Sequence, residues 1–480
     1  MTTGLACVFI IAALTGCAWF GESTPRARMQ SLPQIETTVE SARASSGLDT
    51  PWPTLDWWTR FDTPTLNQLI ETALADNPDF KAAAARLNQT QALVDAQAAE
   101  QYPTIDANVS FSAQRFSANS TQAKLAGEHF RQLLVNPLVL RYHLDFWGRD
   151  QAALQAAVGR SLAVSAEIAD AKLLLAATTA GAYFDLRTAK AQLDITDTIT
   201  NQRQTLLNQE QIRLDNGLSS NEPLLQAKLA LNLARQSLAS ARTELALRKN
   251  LLAALAGRGP DWSRDITVEA GICNQPPPLP RDIPLHLLAR RPDIAAARQY
   301  VEAAAEDIKV AETAFYPDVN LIAFTGLHSV GLSDVLLHGS SLAYAIGPSI
   351  ELPIFEGGRL RANLSFQQAA YDAAVERYNA SLTHAVREVA DALSRWREID
   401  TAIAEQRQSV ADASEAERLT ESLNRAGLAD LGTLIKSQLA SQQQRLRLTE
   451  LEGDHCKAAV QIIKALGGGF SDNPSPTHPR

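Results

Sequence analysis

Ile105-Asp106-Ala107-Asn108-Val109-Ser110-Phe111-Ser112 alternates apolar and polar residues with a period of two. That is the signature of a strand with one apolar and one polar face. A returning stretch repeats it, with Leu138, Leu140, Tyr142, Leu144 and Phe146 alternating with Arg141, His143 and Asp145. A third begins at Val319, Leu321 and Ala323, and a fourth ends at Ile350-Glu351-Leu352, less cleanly because Pro348 interrupts it. Strands are therefore expected at about 103–117, 137–147, 317–330 and 342–355. About ten residues each is the length that crosses a membrane when tilted. Four strands cannot close a barrel, and an open edge in lipid would leave its N–H and C=O groups unsatisfied. Closure needs at least eight strands, so the chain is expected to oligomerise: two copies give eight and three give twelve. The pattern does not choose between them.

The strands belong to a chain written twice. Asn77-Pro78-Asp79 is matched by Arg291-Pro292-Asp293, and Tyr102-Pro103 by Tyr316-Pro317, both 214 residues on. Gly148-Arg149 matches Gly358-Arg359, Gly217 matches Gly427, and Gly257 matches Gly467, all 210 residues on. The offset changes only between Tyr102 and Gly148, which marks a loop there. The first copy is expected at 63–275 and the second at 285–469, with a Pro-rich linker at 276–284 and a flexible tail at 470–480. In each copy a helix starts at the Pro of the NPD or RPD motif, since Pro suits the first helical position. Asn77 is a good N-cap and Arg291 a poor one.

Each strand pair is followed by a helix of unusual length. Arg149 to Leu214 contains no proline, and Arg359 to Ala426 neither proline nor glycine. Such a run makes roughly 100 Å of helix. Both runs carry seven-residue repeats: Leu186, Leu193, Thr200, Leu207, Leu214, and Leu382, Val389, Trp396, Ile403, Val410. The return helix repeats Leu224, Leu231, Leu238, Leu245 and Leu252, with Ala227, Ala234 and Ala241 three places on. A strict heptad means coiled-coil packing against a neighbour, and the small residues permit close approach.

The N-terminus reads as an address. The apolar stretch Leu5 to Leu14 is too short to span a bilayer. It reads as a signal peptide over residues 1–16, although Met1 to Ala6 contain no Lys or Arg. Leu14-Thr15-Gly16-Cys17 resembles a bacterial lipobox, in which the Cys17 thiol is acylated (palmitate being a typical chain) and becomes the mature N-terminus. Ala18 is compatible with sorting to the outer membrane, and residues 17–62 should be an extended segment. Beyond residue 16 no apolar run suits a transmembrane helix.

The remaining cysteines, Cys273 and Cys456, could pair in an oxidising periplasm, but their distance in sequence favours two separate buried thiols. A net charge of −9 argues against a nucleic-acid surface. No GxSxG, HExxH or P-loop occurs and the eight histidines are scattered, so no enzyme, cofactor or metal is expected.

These residues resemble the TolC/OprM-like family of outer-membrane efflux proteins, in its lipoprotein (NodT-type) branch. The match includes Trp57-Trp58, Phe61, Leu66, Asn77 and Pro78. It continues through Ala289-Arg290-Arg291-Pro292-Asp293, Phe315-Tyr316-Pro317-Asp318, Leu352-Pro353-Ile354-Phe355, Gly357-Gly358-Arg359 and Ala465-Leu466-Gly467. Gly331-Leu332-Ser333-Asp334 resembles the MdtP/FusA-like group, associated with export of drugs and aromatic acids. The resemblance implies a fold that is mainly α with a membrane β-barrel, in a homotrimer whose chains each give four strands to a twelve-stranded barrel above a tunnel of twelve helices. It implies a cell-outer-membrane, lipid-anchored protein extending into the periplasm. Its partners would be a periplasmic membrane-fusion adaptor and an inner-membrane pump, exporting drugs or other small toxic compounds. The alternative is a lipid-tethered periplasmic coiled-coil adaptor without channel activity, which leaves the amphipathic strands without purpose.

The resemblance also places the periplasmic entrance at two helix turns, giving Asp215, Gly217, Glu222, Gly427, Asp430 and Lys436 as candidate residues. Gly217 and Gly427 suit left-handed helix ends. Where pump-coupled members of the RND type carry a Leu-Asp-Ala-Gln run, this chain reads Ile435-Lys436-Ser437-Gln438. A base replaces an acid, so the inner-membrane pump is expected to be of either the major-facilitator or the RND type.

Overall fold

A computed structural model describes residues 25–40 apart from 26, 36 and 38, 51–269 apart from 120–123, 125 and 128, then 290–329 and 339–472. The signal peptide, the lipobox with Cys17, Cys273, the Pro-rich linker and the Gly331–Asp334 loop lie outside the described residues.

Helices α1 (Pro64–Asp76) and α2 (Pro78–Ala99) lead to strands β1 (Thr104–Arg115) and β2 (His129–His143), then helices α3 (Arg149–Asp215) and α4 (Asn221–Leu255). The second copy runs α5 (Pro292–Thr313), β3 (Asp318–Ser329), β4 (Leu342–Glu351), α6 (Arg359–Arg425) and α7 (Leu431–Ala465). The chain is mainly helical. The two copies agree in length as well as in order. Helices α2 and α5 have 22 residues each, α3 and α6 67 each, and α4 and α7 35 each.

Two compact units emerge. The first takes its described residues from 1–29, 87–164 and 297–378 and holds an antiparallel sheet in the order β1-β2-β3-β4. Ile105 pairs with Leu140, Leu140 with Ala323 and Ala323 with Ile346; Val109, Val135, Leu327 and Leu342 form a second such row. Directly paired residues share a face. One face is therefore apolar across all four strands, while the other carries Asp106, Asn108, Arg141, His143, Asn320 and Glu351. On that polar face Arg141 donates to Asp106 at 2.8 Å.

Strand β2 starts at His129, earlier than the expected 137, because a bulge absorbs Pro137. The pairing slips by one residue between Val135 and Leu138, so no ladder bond is asked of the proline. Gly326 makes room opposite, since a Cβ there would collide with Asn136 Oδ1. The strand ends at His143, short of the expected 147. Asp145 turns away to cap α3, accepting the N–H groups of Arg149 at 2.6 Å, Asp150 at 3.0 Å and Gln151 at 3.1 Å. Likewise β4 stops at Glu351, not 355, ahead of Pro353.

The second unit is helical. Trp57, Trp58, Leu66 and Ile70 pack with Tyr183, Phe184 and Leu186 of α3, Leu252 of α4, and Val460 and Ile463 of α7. The heptad positions Leu224, Leu231, Leu238 and Leu252 are buried in α4, as are Leu382, Val389, Trp396 and Ile403 in α6. One expectation is corrected here. Cys456 is buried but disulfide-bonded, not a free thiol, and its partner lies outside the described residues. Separation along the chain does not measure separation in space once long helices fold back. Phe470 packs against Ala166, Ala295 and Ala296.

Both copies latch their first helix to the end of their last. The Asn77 amide donates to Leu255 O at 3.0 Å, and its Oδ1 caps α2 by accepting the Phe80 N–H at 3.0 Å. Arg291 occupies the equivalent place and caps nothing with its side chain. Instead its Nη1 donates to Ala465 O at 2.9 Å, Ala465 being the repeat-equivalent of Leu255. The buried guanidinium also donates to Asp293 at 3.0 and 2.7 Å and to Glu388 at 2.8 Å. The close approach explains the glycines that follow. A Cβ on Gly257 would lie 2.6 Å from Asp76 O, and one on Gly467 would collide with Arg290 O.

Candidate functional site

The sheet offers a surface for lipid. Ile105, Val109 and Phe111 are 64%, 68% and 54% exposed, and Tyr344, Ile346 and Ile350 on β4 are 76%, 73% and 67% exposed. So large an apolar face is unusual unless something apolar covers it. Where strands meet helices, exposed Tyr102, Phe146, Trp147, Ile354 and Phe355 gather, and Trp147 stacks on Tyr316 with ring centroids 5.0 Å apart. Aromatic girdles of this kind sit at membrane–water boundaries. On the polar side of the junction His143 lies between Asp150 at 2.5 Å and Asp318 at 3.4 Å. Asp318 is also held by Arg149 at 3.5 Å and Asn320 at 2.7 Å. His143, Arg149 and Asp318 line a cavity of about 250 Å³ together with Glu351, Glu356 and Arg359. Among the described residues no helix is long and apolar enough to cross a membrane, and no cluster of His, Cys, Asp or Glu could hold a metal.

The helix tips form the second surface, and the same glycine turn ends α3 and α6. Gly217 N–H donates to Leu214 O and Leu218 N–H to Arg213 O; Gly427 donates to Asn424 O and Leu428 to Leu423 O. Both glycines have positive φ, 71° and 74°, as this helix end requires. The starts of the return helices differ. Ser220 makes no side-chain cap on α4, whereas Asp430 caps α7 by accepting the Thr433 N–H at 2.7 Å. Asp430 also meets Arg213, from the end of α3, at 3.6 Å. Hydrogen bonds from Thr433, then the charges of Arg213 and Lys436, hold its carboxyl below the usual range.

Of the other candidates, Asp215 accepts from Gln211 at 2.8 Å and Glu222 from Gln226 at 3.2 Å, each within its own helix. Lys436 is exposed. The structure thus joins Asp430 to Arg213, which no motif singles out, and leaves Asp215 and Glu222 to local partners. Beneath the tips Leu206 packs with Ile435 and Leu439, tying α3 to α7.

A four-stranded antiparallel sheet with one exposed apolar face, joined to paired helices of 67 and 35 residues, is the build of an outer-membrane channel subunit. The family model described as outer membrane efflux protein matches residues 69–258 and 284–468, and the chain belongs to that family. It is an outer-membrane protein of efflux. It is 28% identical over 477 residues to the multidrug resistance outer membrane protein MdtQ of Escherichia coli O157:H7, covering 97% of this chain and 98% of that one. It is also 28% identical over 480 residues to the multidrug resistance outer membrane protein MdtP of Escherichia coli K12, covering 96% and 95%. The outer membrane protein VceC of Vibrio cholerae is similar in structure, with a TM-score of 0.77 and 31% identity over 88% of this chain and 100% of that one.

Proposed function

We propose that three copies of this chain close a twelve-stranded barrel around the polar face of the sheet, above a tunnel of twelve helices. The assembly exports drugs or other small toxic compounds that an inner-membrane pump and a periplasmic adaptor deliver. The observation that carries this reading is the sheet itself. Within the chain β1 and β4 each pair on one side only among the described residues, and the apolar face they border is exposed. Joining β1 of one copy to β4 of the next satisfies both edges in lipid. On α4, Leu225, Leu229 and Leu233 form an exposed stripe at helical spacing, away from the buried heptad leucines, which a neighbouring copy would cover. The multidrug names of MdtQ and MdtP support the class of cargo.

Cys17 carries the acyl group that tethers each copy to the outer membrane. The entrance is lined by the two tips, with Asp215, Gly217, Glu222, Gly427, Asp430 and Lys436 around it. Lys436, standing where RND-coupled members have an acid, favours a pump of the major-facilitator type. Native mass spectrometry of the detergent-extracted protein should give a mass near three times that of one chain, with an acyl group on the N-terminal peptide. A monomer under conditions that preserve other outer-membrane trimers would overturn the assembly.

A further inference from the structure

Two side chains of α6 hold the backbone of a segment far away in sequence. The Ala27 N–H donates to Asp372 Oδ1 at 2.9 Å, and the Gln30 N–H donates to Asn379 Oδ1 at 2.9 Å. Asp372 and Asn379 are seven residues apart, two turns or about 10 Å along the helix. Residues 27–30 in extended form advance by about the same distance. The match of spacings means the segment lies along α6, in the direction of the helix. Farther on, Ile35 and Val39 are buried beside Val389, Leu393 and Trp396 of the same helix. Asp372 and Asn379 thus satisfy the Ala27 and Gln30 N–H groups, which would otherwise need another acceptor.

We propose that Asp372 and Asn379 are positioning residues for a docked strap that sets the reach of the N-terminal lipid; this rests on acylation of Cys17. Asp372 is thirteen residues into α6 from Arg359, next to the exposed Ile354 and Phe355 of the aromatic boundary. Thirteen residues of helix measure about 20 Å. Ten residue-to-residue steps lead from Cys17 to Ala27, and fully extended they span at most about 35 Å. The acyl chains therefore reach the membrane boundary while the strap stays docked. Deleting residues 18–23 would leave four steps, about 14 Å, which is too short. The acylated protein would then have to give up docking or insertion.

Hydrogen exchange of the full assembly in phospholipid vesicles tests both parts. Asp372→Ala combined with Asn379→Leu should speed exchange over residues 27–30 at least tenfold, with sheet protection and assembly mass unchanged. Unchanged exchange there would refute the positioning role. Deletion of 18–23 in the acylated protein should likewise expose the strap, and Cys17→Ser, secreted with a non-lipoprotein signal peptide, should restore protection to the deleted chain. A strap still protected in the acylated deletion, or exposed in both forms, overturns the reach argument. Mass spectrometry of the same samples reports the acyl group, so loss of the lipid reading would be seen separately while the docking arm is still decided by the α6 variants.

Discussion

The two copies of the repeat fasten the same joint with different chemistry. Asn77 closes it with a neutral amide that both caps α2 and ties down the end of α4. Arg291 closes it with a buried cation shared among a carbonyl at the end of α7 and two carboxylates. An amide asks little desolvation and forfeits little when removed. A buried guanidinium is tolerable only while its carboxylates are present, and removing it takes the close partner from Asp293 and Glu388. Burial acts to lower the Arg291 pKa, but its bonds to Asp293 and Glu388 outweigh that and raise it. The tips repeat the asymmetry on a smaller scale, with an acid capping the second copy's return helix and no side-chain cap on the first. Duplicated segments can thus keep a backbone geometry while one copy becomes far more dependent on charge.

The largest expected effect follows directly. Arg291→Leu should destabilise the protein by about 3–5 kcal/mol, because it takes the buried cation from Asp293 and leaves Glu388 with only longer contacts such as Lys464 at 3.7 Å. Asn77→Leu should cost only about 1–2 kcal/mol, the range for a lost cap. Denaturant unfolding of both variants reads the difference, and equal losses would break the comparison between a charged and a neutral latch.

Acidity sharpens it. Asp170 of α3 has its carboxyl pushed up, chiefly by burial and then by the charge of Asp293, against the pull of Arg291 and Lys464. A carboxyl whose folded pKa is raised binds protons better folded than unfolded, so stability falls as pH climbs from the ordinary Asp range through the raised value. Asp170→Asn should therefore stabilise the protein at neutral pH and leave it unchanged in acid. Heat unfolding at both pH values checks this, and a variant that loses stability at neutral pH would mean that Asp170 serves as a needed anion. The smallest effect is expected at the tips. Asp430→Ala should cost about 1 kcal/mol, while Ser220→Ala should change almost nothing, since only the former removes a cap. Local hydrogen exchange at the start of α7 and α4 would separate them.

Much of this was legible in the sequence because it is local. The alternation from Ile105 to Phe111 and the leucines from Leu224 to Leu252 announce their faces within a few residues. The first half of β2 was hidden, since Pro137 looks like an end and the glycine that accommodates its bulge, Gly326, is on another strand. Arg291 was rightly read as a poor cap. Its real partner, Ala465 O, is 174 residues away, although mapping the Asn77–Leu255 pair through the repeat would have pointed to it. Cys456 was misread for the same reason. Asp372 and Asn379 look like ordinary polar helix residues until the strap is seen against them. Among the tip candidates, Asp430 owes its setting to Arg213, from a different helix.

In the proposed assembly the sheet encloses an open path, and single-channel recording in a planar lipid bilayer tests this most directly. The purified protein should insert and produce discrete, ion-conducting steps, and Lys436→Asp, which sets acid beside acid at the tips, should raise the basal conductance above that of Lys436→Ala. Protein that inserts as an intact assembly yet passes no current, with either variant or with none, would contradict the account.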